Sequence, residues 1–165
     1  TCALPISTLA DFLASFYARR VRRIMPALLV MVLVTSIAIC LVDPNPGTSL
    51  ITGIGSLFGA SNVYLVVRLT DYFAASTELN AFLHTWSLGV EEQFYLLFPL
   101  LVWFSGFGRS RPHAAKKLVI FLLPILVASL VSFCILYPHH QPQAYFLIAS
   151  RFWELAMGSL VFVAS

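Results

Sequence analysis

Two adjacent carboxylates, Glu91 and Glu92, lie inside the otherwise apolar and aromatic stretch HTWSLGVEEQFYLLFPLL, which begins at His84. If this stretch is one helix, His84, Glu91 and Tyr95 point within about 20° of one direction. Ser87 lies about 60° to one side of that direction, and Glu92 points about 80° away from it. A histidine and carboxyls so placed suit general acid–base chemistry, so His84, Glu91 and Glu92 are candidate catalytic residues. Ser87 and Tyr95 are candidate substrate-binding residues on the same stripe.

Each of these residues also has a structural interpretation. An ionised acid in the middle of a membrane costs about 2.5–3.5 kcal/mol on insertion scales, so a glutamate there needs a partner. Either glutamate could pair with a basic residue on another helix and order the bundle without taking part in chemistry. His84 lies close to Trp86, a typical anchor at the membrane–water interface, and could be an interfacial residue. The sequence leaves both interpretations open.

A second charged pair lies in the last apolar run of the chain. Arg151 and Glu154 are three residues apart, so they can pair on one face of a helix, and that local pair alone would explain both. An arginine in a membrane helix also commonly faces a polar cavity, where it could hold an anionic group. Both are therefore candidate substrate-binding residues. The cysteines and the other histidines show no metal-ligand spacing, so no metal site is predicted.

The elements that position these residues must be membrane helices. Hydrophobic residues make up 59% of the chain and charged residues only 10%, whereas an ordinary soluble domain carries about 25% charged residues. Barrel strands would alternate with a period of two, which this sequence does not do. We therefore predict an all-α, polytopic transmembrane helix bundle, with residues 1–165 forming part of one domain.

A spanning helix needs roughly 20 mostly apolar residues. The apolar runs predict about four to five spans, near residues 24–42, 48–67, 85–105, 118–136 and 145–164. Residues 1–15 are expected to be non-native or interfacial, because TCALPIS shows no structural pattern and DFLASFYARRVRRI, from residue 11 on, has an amphipathic one. The second run is rich in small residues, and Gly55 and Gly59 form a GxxxG-type packing face.

Eight of the ten basic residues fall in two clusters beside apolar runs. The clusters comprise Arg19, Arg20, Arg22 and Arg23, and then Arg109, Arg111, Lys116 and Lys117. Such clusters typically mark the cytoplasmic ends of membrane helices, and nucleic-acid binding is not expected. If both are cytoplasmic, an even number of crossings separates them. Either the run 48–67 is then re-entrant or partial, or the charge rule is broken here.

Three motifs together resemble a known family. HTWSLGVEEQFYLLFPLL resembles the signature of the membrane-bound acyltransferase family 3, the O-acetyltransferases of bacterial cell-surface sugars. FYARRVRRIMPALLV (16–30) and SRFWELAMGSL (150–160) resemble two further motifs of the family, in the family's order. The resemblance implies a multi-pass enzyme of the bacterial cytoplasmic (inner) membrane that passes an acyl group to a carbohydrate hydroxyl. The acceptor would be lipopolysaccharide O-antigen, exopolysaccharide or peptidoglycan.

The resemblance also implies roles for residues and partners. Acetyl-CoA would be the donor substrate, with no permanently bound cofactor, and a fused or separate extracytoplasmic domain remains open. The cluster Arg19, Arg20, Arg22 and Arg23 would bind the donor's phosphates, which suits the guanidinium fork, although positive-inside anchoring alone would also explain it. His84 with Glu91 or Glu92 would line the transfer site.

The match departs from the family at its start. Members carry earlier membrane helices, one with a histidine regarded as the catalytic base, whereas 15 residues precede Phe16 here. The chain also stops after Ser165, before the family's remaining helices. We therefore expect the 165 residues alone to be inactive.

Two alternatives from other classes remain. A proton- or ion-coupled transporter could use Glu91, Glu92, Arg151 and Glu154 as a conduction path, since membrane carboxylates fit that use. In a non-catalytic scaffold, Glu91→Gln would have little effect, whereas in an enzyme it would abolish most transfer.

Overall fold

The computed structural model describes residues 8–68, 80–106 and 113–164, and within them it contains helices and no strand. In chain order the helices are α1 (Leu9–Val42), α2 (Gly47–Leu57), α3 (Ser61–Arg68), α4 (Trp86–Ser105), α5 (Ala114–Leu136), α6 (Gln141–Phe146) and α7 (Ile148–Ala164). A 3-10 turn, Leu83–Thr85, precedes α4. The nature of residues 1–7 falls outside the described part of the chain.

Three helical segments of the described residues are long and apolar enough to cross a membrane. They are Leu9–Val42, Ala114–Leu136 and Gln141–Val163, with mean hydropathies of 2.7, 2.9 and 1.5. The predicted all-α membrane bundle is therefore confirmed. The predicted interfacial arm and first span form one continuous helix, α1. Helix α4 has 20 residues but is not among the three, since its polar residues Glu91, Glu92 and Gln93 lower its hydropathy.

The single helix predicted over 48–67 is instead two short helices of 11 and 8 residues, α2 and α3. Each is shorter than the roughly 17–25 residues that a spanning helix needs. The chain breaks at Gly59, whose φ of 64° is in the left-handed region that favours glycine. The predicted GxxxG face brings backbones together only locally, because a Cβ at Gly55 would lie 3.4 Å from Ser61 Cα.

Helix α4 runs antiparallel to α1. The hydroxyl of Tyr17 donates to the carbonyl of Leu96 at 3.1 Å, and the rings of Phe12 and Trp103 lie 5.5 Å apart. The N-terminal part of α1 is therefore beside the C-terminal part of α4. Helix α5 begins after α4 ends, and its Leu118 packs in one cluster with Phe94, Leu122, Phe152 and Ala156.

Helix α2 turns back along α1 and brings the break at Gly59 to the middle of α4. Gly53 packs on the ring of Phe82, which itself packs against Leu28 and Val32 of α1. Lys116 and Lys117 of the second basic cluster lie in the first turn of α5, which begins after the C-terminal end of α4. The shortness of α2 and α3 favours the re-entrant or partial alternative for residues 48–67. Arg109 and Arg111 lie outside the described residues.

Candidate active site

An arginine of α1 and a glutamate of α4 form an ion pair 72 residues apart in sequence. Arg20 Nε lies 3.2 Å from Glu92 Oε1 and 3.3 Å from Oε2, and the two side chains are 17% and 31% exposed. The guanidinium carbon lies only 3.4 Å from the centroid of the Tyr95 ring. Glu92 thus pairs with a basic residue on another helix, as its structural interpretation predicts. A catalytic role for Glu92 stays a prediction.

The Arg20 guanidinium retains unused hydrogen-bonding capacity. Its Nη2 atom is buried and has no hydrogen-bond partner among the described residues. A buried donor without a partner is costly, and guanidinium N–H groups match the oxygens of phosphates and carboxylates. Arg20 is therefore held in place on its Nε side, while its Nη2 keeps a donor that no described residue uses.

The backbone break at Gly59 supports Glu92 directly. A Cβ at Gly59 would lie 2.9 Å from Glu92 Cβ, so only glycine allows this approach. Gln93 Nε2 donates to the Gly59 carbonyl at 3.2 Å and to Asn62 Oδ1 at 2.9 Å. Asn62 Nδ2 donates in turn to Gln93 Oε1 at 3.3 Å and to the Phe146 carbonyl at 2.9 Å. These amides tie α3, α4 and α6 together behind the ion pair.

Sequence reasoning missed Asn62 and Gln93 as parts of this site. Asn62 is fully buried, and both side chains lie in apolar surroundings where each polar group needs a partner. A usable signal was present, namely two side-chain amides inside apolar runs. Nothing in the sequence alone shows that the two would meet.

A cavity of about 700 Å³ opens beside the ion pair. Its wall consists of Phe16, Arg19, Arg20, Arg23, Ile24, Glu91 and Tyr95. Three guanidinium groups face one carboxylate in this wall, so the cavity is positive even when Glu92 is counted. Glu91 is half-buried and makes no hydrogen bond or ion pair with a described residue. The cavity thus combines anion-binding side chains with one carboxyl that is free to act on a ligand.

The predicted polar stripe is divided in the structure. Glu91 and Tyr95 line the cavity, whereas His84 and Ser87 are exposed and do not, and Ser87 Oγ donates to the His84 carbonyl at 3.3 Å. His84 lies in the 3-10 turn before α4, where the 100° rotation of an α-helix does not apply, and Ser87 lies about one turn of α4 before Glu91. Arg22 is also exposed and outside the cavity wall.

The second charged pair forms a separate site. Arg151 Nη1 donates to Glu154, as the spacing predicted, and its Nε donates to the Tyr145 carbonyl at 3.3 Å. Aromatic rings surround the guanidinium at 4.9 Å (Tyr145), 5.5 Å (Trp86) and 5.6 Å (Phe133). This aromatic box lies at the N-terminal end of α4 and outside the wall of the 700 Å³ cavity.

Comparisons with known proteins cover almost the whole chain. A protein-family model described as an acyltransferase domain matches residues 7–164. An uncharacterized protein of Haemophilus influenzae is 38% identical over 90% of this chain and 62% of its own length. The putative peptidoglycan O-acetyltransferase YrhL of Bacillus subtilis is 32% identical over 87% of this chain and 23% of its own length.

A further relative is the putative membrane-bound transacylase BcsY of Komagataeibacter xylinus, 30% identical over 90% of this chain and 37% of its own length. The chain thus spans less than two thirds of the length of each of these curated relatives. No solved structure matches the chain.

Proposed function

The chain belongs to acyltransferase family 3, and from that premise we propose that it transfers an acyl group from acyl-CoA to a hydroxyl of a bacterial cell-surface carbohydrate. Acetyl is the first candidate for the acyl group, since relatives are named as O-acetyltransferases. The name of the Bacillus subtilis relative supports peptidoglycan as an acceptor class, and lipopolysaccharide O-antigen and exopolysaccharide are the others. The place of action in this proposal is the bacterial cytoplasmic membrane.

The observation that carries the proposal is the positive cavity built around Arg20. Coenzyme A carries several phosphates, and Arg19, Arg20 and Arg23 present guanidinium groups to one space. Glu92 and Tyr95 fix the Arg20 guanidinium before a ligand arrives, which lowers the entropy lost on binding. We leave Arg22 out of the donor site and assign it to anchoring at the membrane surface.

Glu91 is the residue of this cavity that suits proton transfer. In the reaction, the acceptor oxygen forms a bond to the thioester carbonyl carbon while the carbon–sulfur bond breaks. The hydroxyl proton leaves the acceptor and ends on the sulfur of coenzyme A. A carboxylate without a competing ion pair can take that proton and return it, which is general acid–base catalysis. We assign this role to Glu91 and a positioning role to Glu92.

The acceptor belongs at the other end of α4 in this proposal. His84 and Ser87 are exposed there, and Arg151 lies against Trp86, two residues from His84. His84 and Ser87 would contact sugar hydroxyls, and Glu154 offers a 42% exposed carboxylate beside Arg151.

The decisive experiment removes the fixed guanidinium from the intact protein in membranes. With Arg20→Gln, acetyl-CoA should bind about 10- to 100-fold more weakly, because a charge-assisted hydrogen bond contributes about 1.5–3 kcal/mol. Binding is measured with radiolabelled acetyl-CoA on membrane vesicles. Unchanged affinity would remove the donor site from the proposal.

Lys117→Gln is the matched control for that experiment. Lys117 is an exposed basic residue in the first turn of α5 and does not line the cavity, so its loss should leave the affinity within twofold. Arg20→Lys keeps the charge without the planar fork and should recover part of the affinity. The transport alternative predicts the opposite pattern, in which Glu91→Gln abolishes proton flux and acyl transfer is absent throughout.

A further inference from the structure

Two side-chain amides form a reciprocal pair directly behind the Arg20–Glu92 ion pair. Asn62 of α3 is fully buried, and Gln93 of α4 is half-buried. Gln93 Nε2 lies 2.9 Å from Asn62 Oδ1, and Asn62 Nδ2 lies 3.3 Å from Gln93 Oε1. Because each amide donates to the other, turning either one breaks two hydrogen bonds. The pair is therefore a rigid contact between α3 and α4.

Asn62 is held in this position from two further sides. A Cβ at Gly89 of α4 would lie 2.7 Å from Asn62 Oδ1, so a larger residue there would displace the amide. Gly89 and Gln93 are four residues apart, so they lie on the same face of α4. Asn62 Nδ2 also donates to the Phe146 carbonyl of α6 at 2.9 Å. Asn62 therefore has little freedom to move.

The amide pair reaches Glu92 through the backbone of Gly59. Gln93 Nε2 donates to the Gly59 carbonyl at 3.2 Å. The Cβ position of Gly59 is 2.9 Å from Glu92 Cβ and 3.4 Å from Glu92 Cγ, so the Gly59 backbone packs against the start of that side chain. A side chain confined at Cβ and Cγ has few rotamers left. Gly59 thus sets where the Glu92 carboxylate points, and that carboxylate accepts from Arg20 Nε at 3.2 Å.

We propose that Asn62 and Gln93 are positioning residues for donor binding, because they fix the Arg20 guanidinium before the donor arrives. They do so by holding Gly59 against Glu92. This inference rests on the proposed function, in which Arg20 binds a phosphate of the donor. Neither amide lines the 700 Å³ cavity, so both act through Glu92 and Arg20 without touching the donor. Without the pair, binding has to restrict a mobile guanidinium, and the affinity falls.

The experiment measures binding of radiolabelled acetyl-CoA to the intact protein in membrane vesicles. Asn62→Leu should weaken binding about five- to tenfold, which is the cost of immobilising one long side chain on binding. Gln93→Met keeps an unbranched side chain of similar length without its hydrogen bonds, and it should weaken binding to a similar extent. Because Gln93 is only half-buried, this second variant provides the test even if Asn62→Leu does not fold.

Asn80→Leu is the matched control for a loss of stability. Asn80 is also a buried amide, and it donates to Thr52 Oγ1 at 2.9 Å and accepts from the Phe82 N–H at 3.0 Å. Its removal leaves buried polar groups unpaired as Asn62→Leu does, but its hydrogen bonds lead to α2 and Phe82 and not to Gly59. The affinity should stay within twofold. An equal loss of affinity in both leucine variants would overturn the inference, because a general loss of structure would explain both.

A double-mutant cycle on the affinity separates positioning from a general structural role. Arg20→Gln removes the group that the amides position, so adding Asn62→Leu to it should weaken binding less than twofold further. A further five- to tenfold loss in the double variant would overturn the inference, since the amides would then act without Arg20.

The inference and the proposed function fail in different ways. If Arg20→Gln weakens binding while Asn62→Leu and Gln93→Met both leave it unchanged, the inference alone is overturned. If Arg20→Gln leaves binding unchanged, or the unsubstituted protein does not bind acetyl-CoA, the donor site of the proposed function is overturned and this inference with it.

Discussion

The molecule contains two arginine–glutamate pairs with aromatic neighbours, and they are built in opposite ways. Arg151 and Glu154 pair within one turn of α7, and three aromatic rings surround the guanidinium. Arg20 and Glu92 pair across two helices, and one ring covers the guanidinium. The first pair is complete within its own segment and its neighbours, whereas the second leaves Arg20 Nη2 without a partner among the described residues.

The difference teaches which arginine is suited to a ligand. A guanidinium that already meets a carboxylate, a carbonyl and aromatic faces mainly holds helices together. A guanidinium that is fixed on one side, keeps an unpaired donor and lines a positive cavity is better suited to an incoming anion. Residue types alone do not separate these cases. The supporting backbone does, and near Arg20 that support is the break between α2 and α3 at Gly59.

The largest expected effect comes from removing that support. Gly59→Ala places a Cβ 2.9 Å from Glu92 Cβ on a residue whose φ is 64°. The left-handed conformation and the overpacking together should lower the free energy of unfolding by about 3 kcal/mol. The change is measured by denaturant titration in detergent micelles. Gly47→Ala is the control, since no atom lies within 4 Å of its Cβ position, and an equal loss in both variants would contradict the role of Gly59.

A smaller effect should come from the amides that connect the two regions. Asn62 bonds Gln93, the neighbour of Glu92, and also the carbonyl of Phe146, whose neighbour Tyr145 accepts from Arg151. Asn62→Leu should therefore cost about 2 kcal/mol of unfolding free energy, because it leaves buried polar groups unpaired.

A double-mutant cycle sharpens this prediction. With Asn62→Leu and Gln93→Leu combined, the loss should be smaller than the sum of the two single losses, since each single change strands the other amide. Strictly additive losses would show that the two amides do not act as a pair.

The fold was predictable from the sequence where a helix depends only on the residues of its own segment. Long apolar runs predicted α1, α5 and the α6–α7 segment, because a lipid-facing helix needs only length and apolar side chains. The run 48–67 was not predictable in the same way. Its composition allows a span, and what breaks it is the packing of Gly59 on Glu92, a contact between residues 33 positions apart.

The site was predictable to the same extent. The spacing of Arg151 and Glu154 correctly predicted their ion pair, since residues three apart share a helix face. The face of Glu91 and Tyr95 was placed correctly for the same reason, and both line one cavity. His84 lies in a 3-10 turn before α4 begins at Trp86, which the periodicity does not reveal, and its part in the site stays a prediction. Because the partner of Glu92 lies on another helix, the sequence predicted only that it would be a basic residue and not which one.

The smallest expected effect compares the two glutamates directly. Glu92→Gln leaves a largely buried guanidinium without its counter-charge and should lower the free energy of unfolding by about 1.5 kcal/mol, less than a fully buried pair would lose. Glu154→Gln removes one partner of a local pair that is 42% exposed and should cost about 0.3 kcal/mol. Both changes are isosteric and remove one charge, so the comparison isolates where the pair lies. Because ions screen exposed charges more than buried ones, raising the salt concentration should shrink the Glu154 effect first. Equal losses of unfolding free energy in the two variants would mean that the interhelical pair stabilises the fold no more than the local one. Glu92 would then have no positioning role.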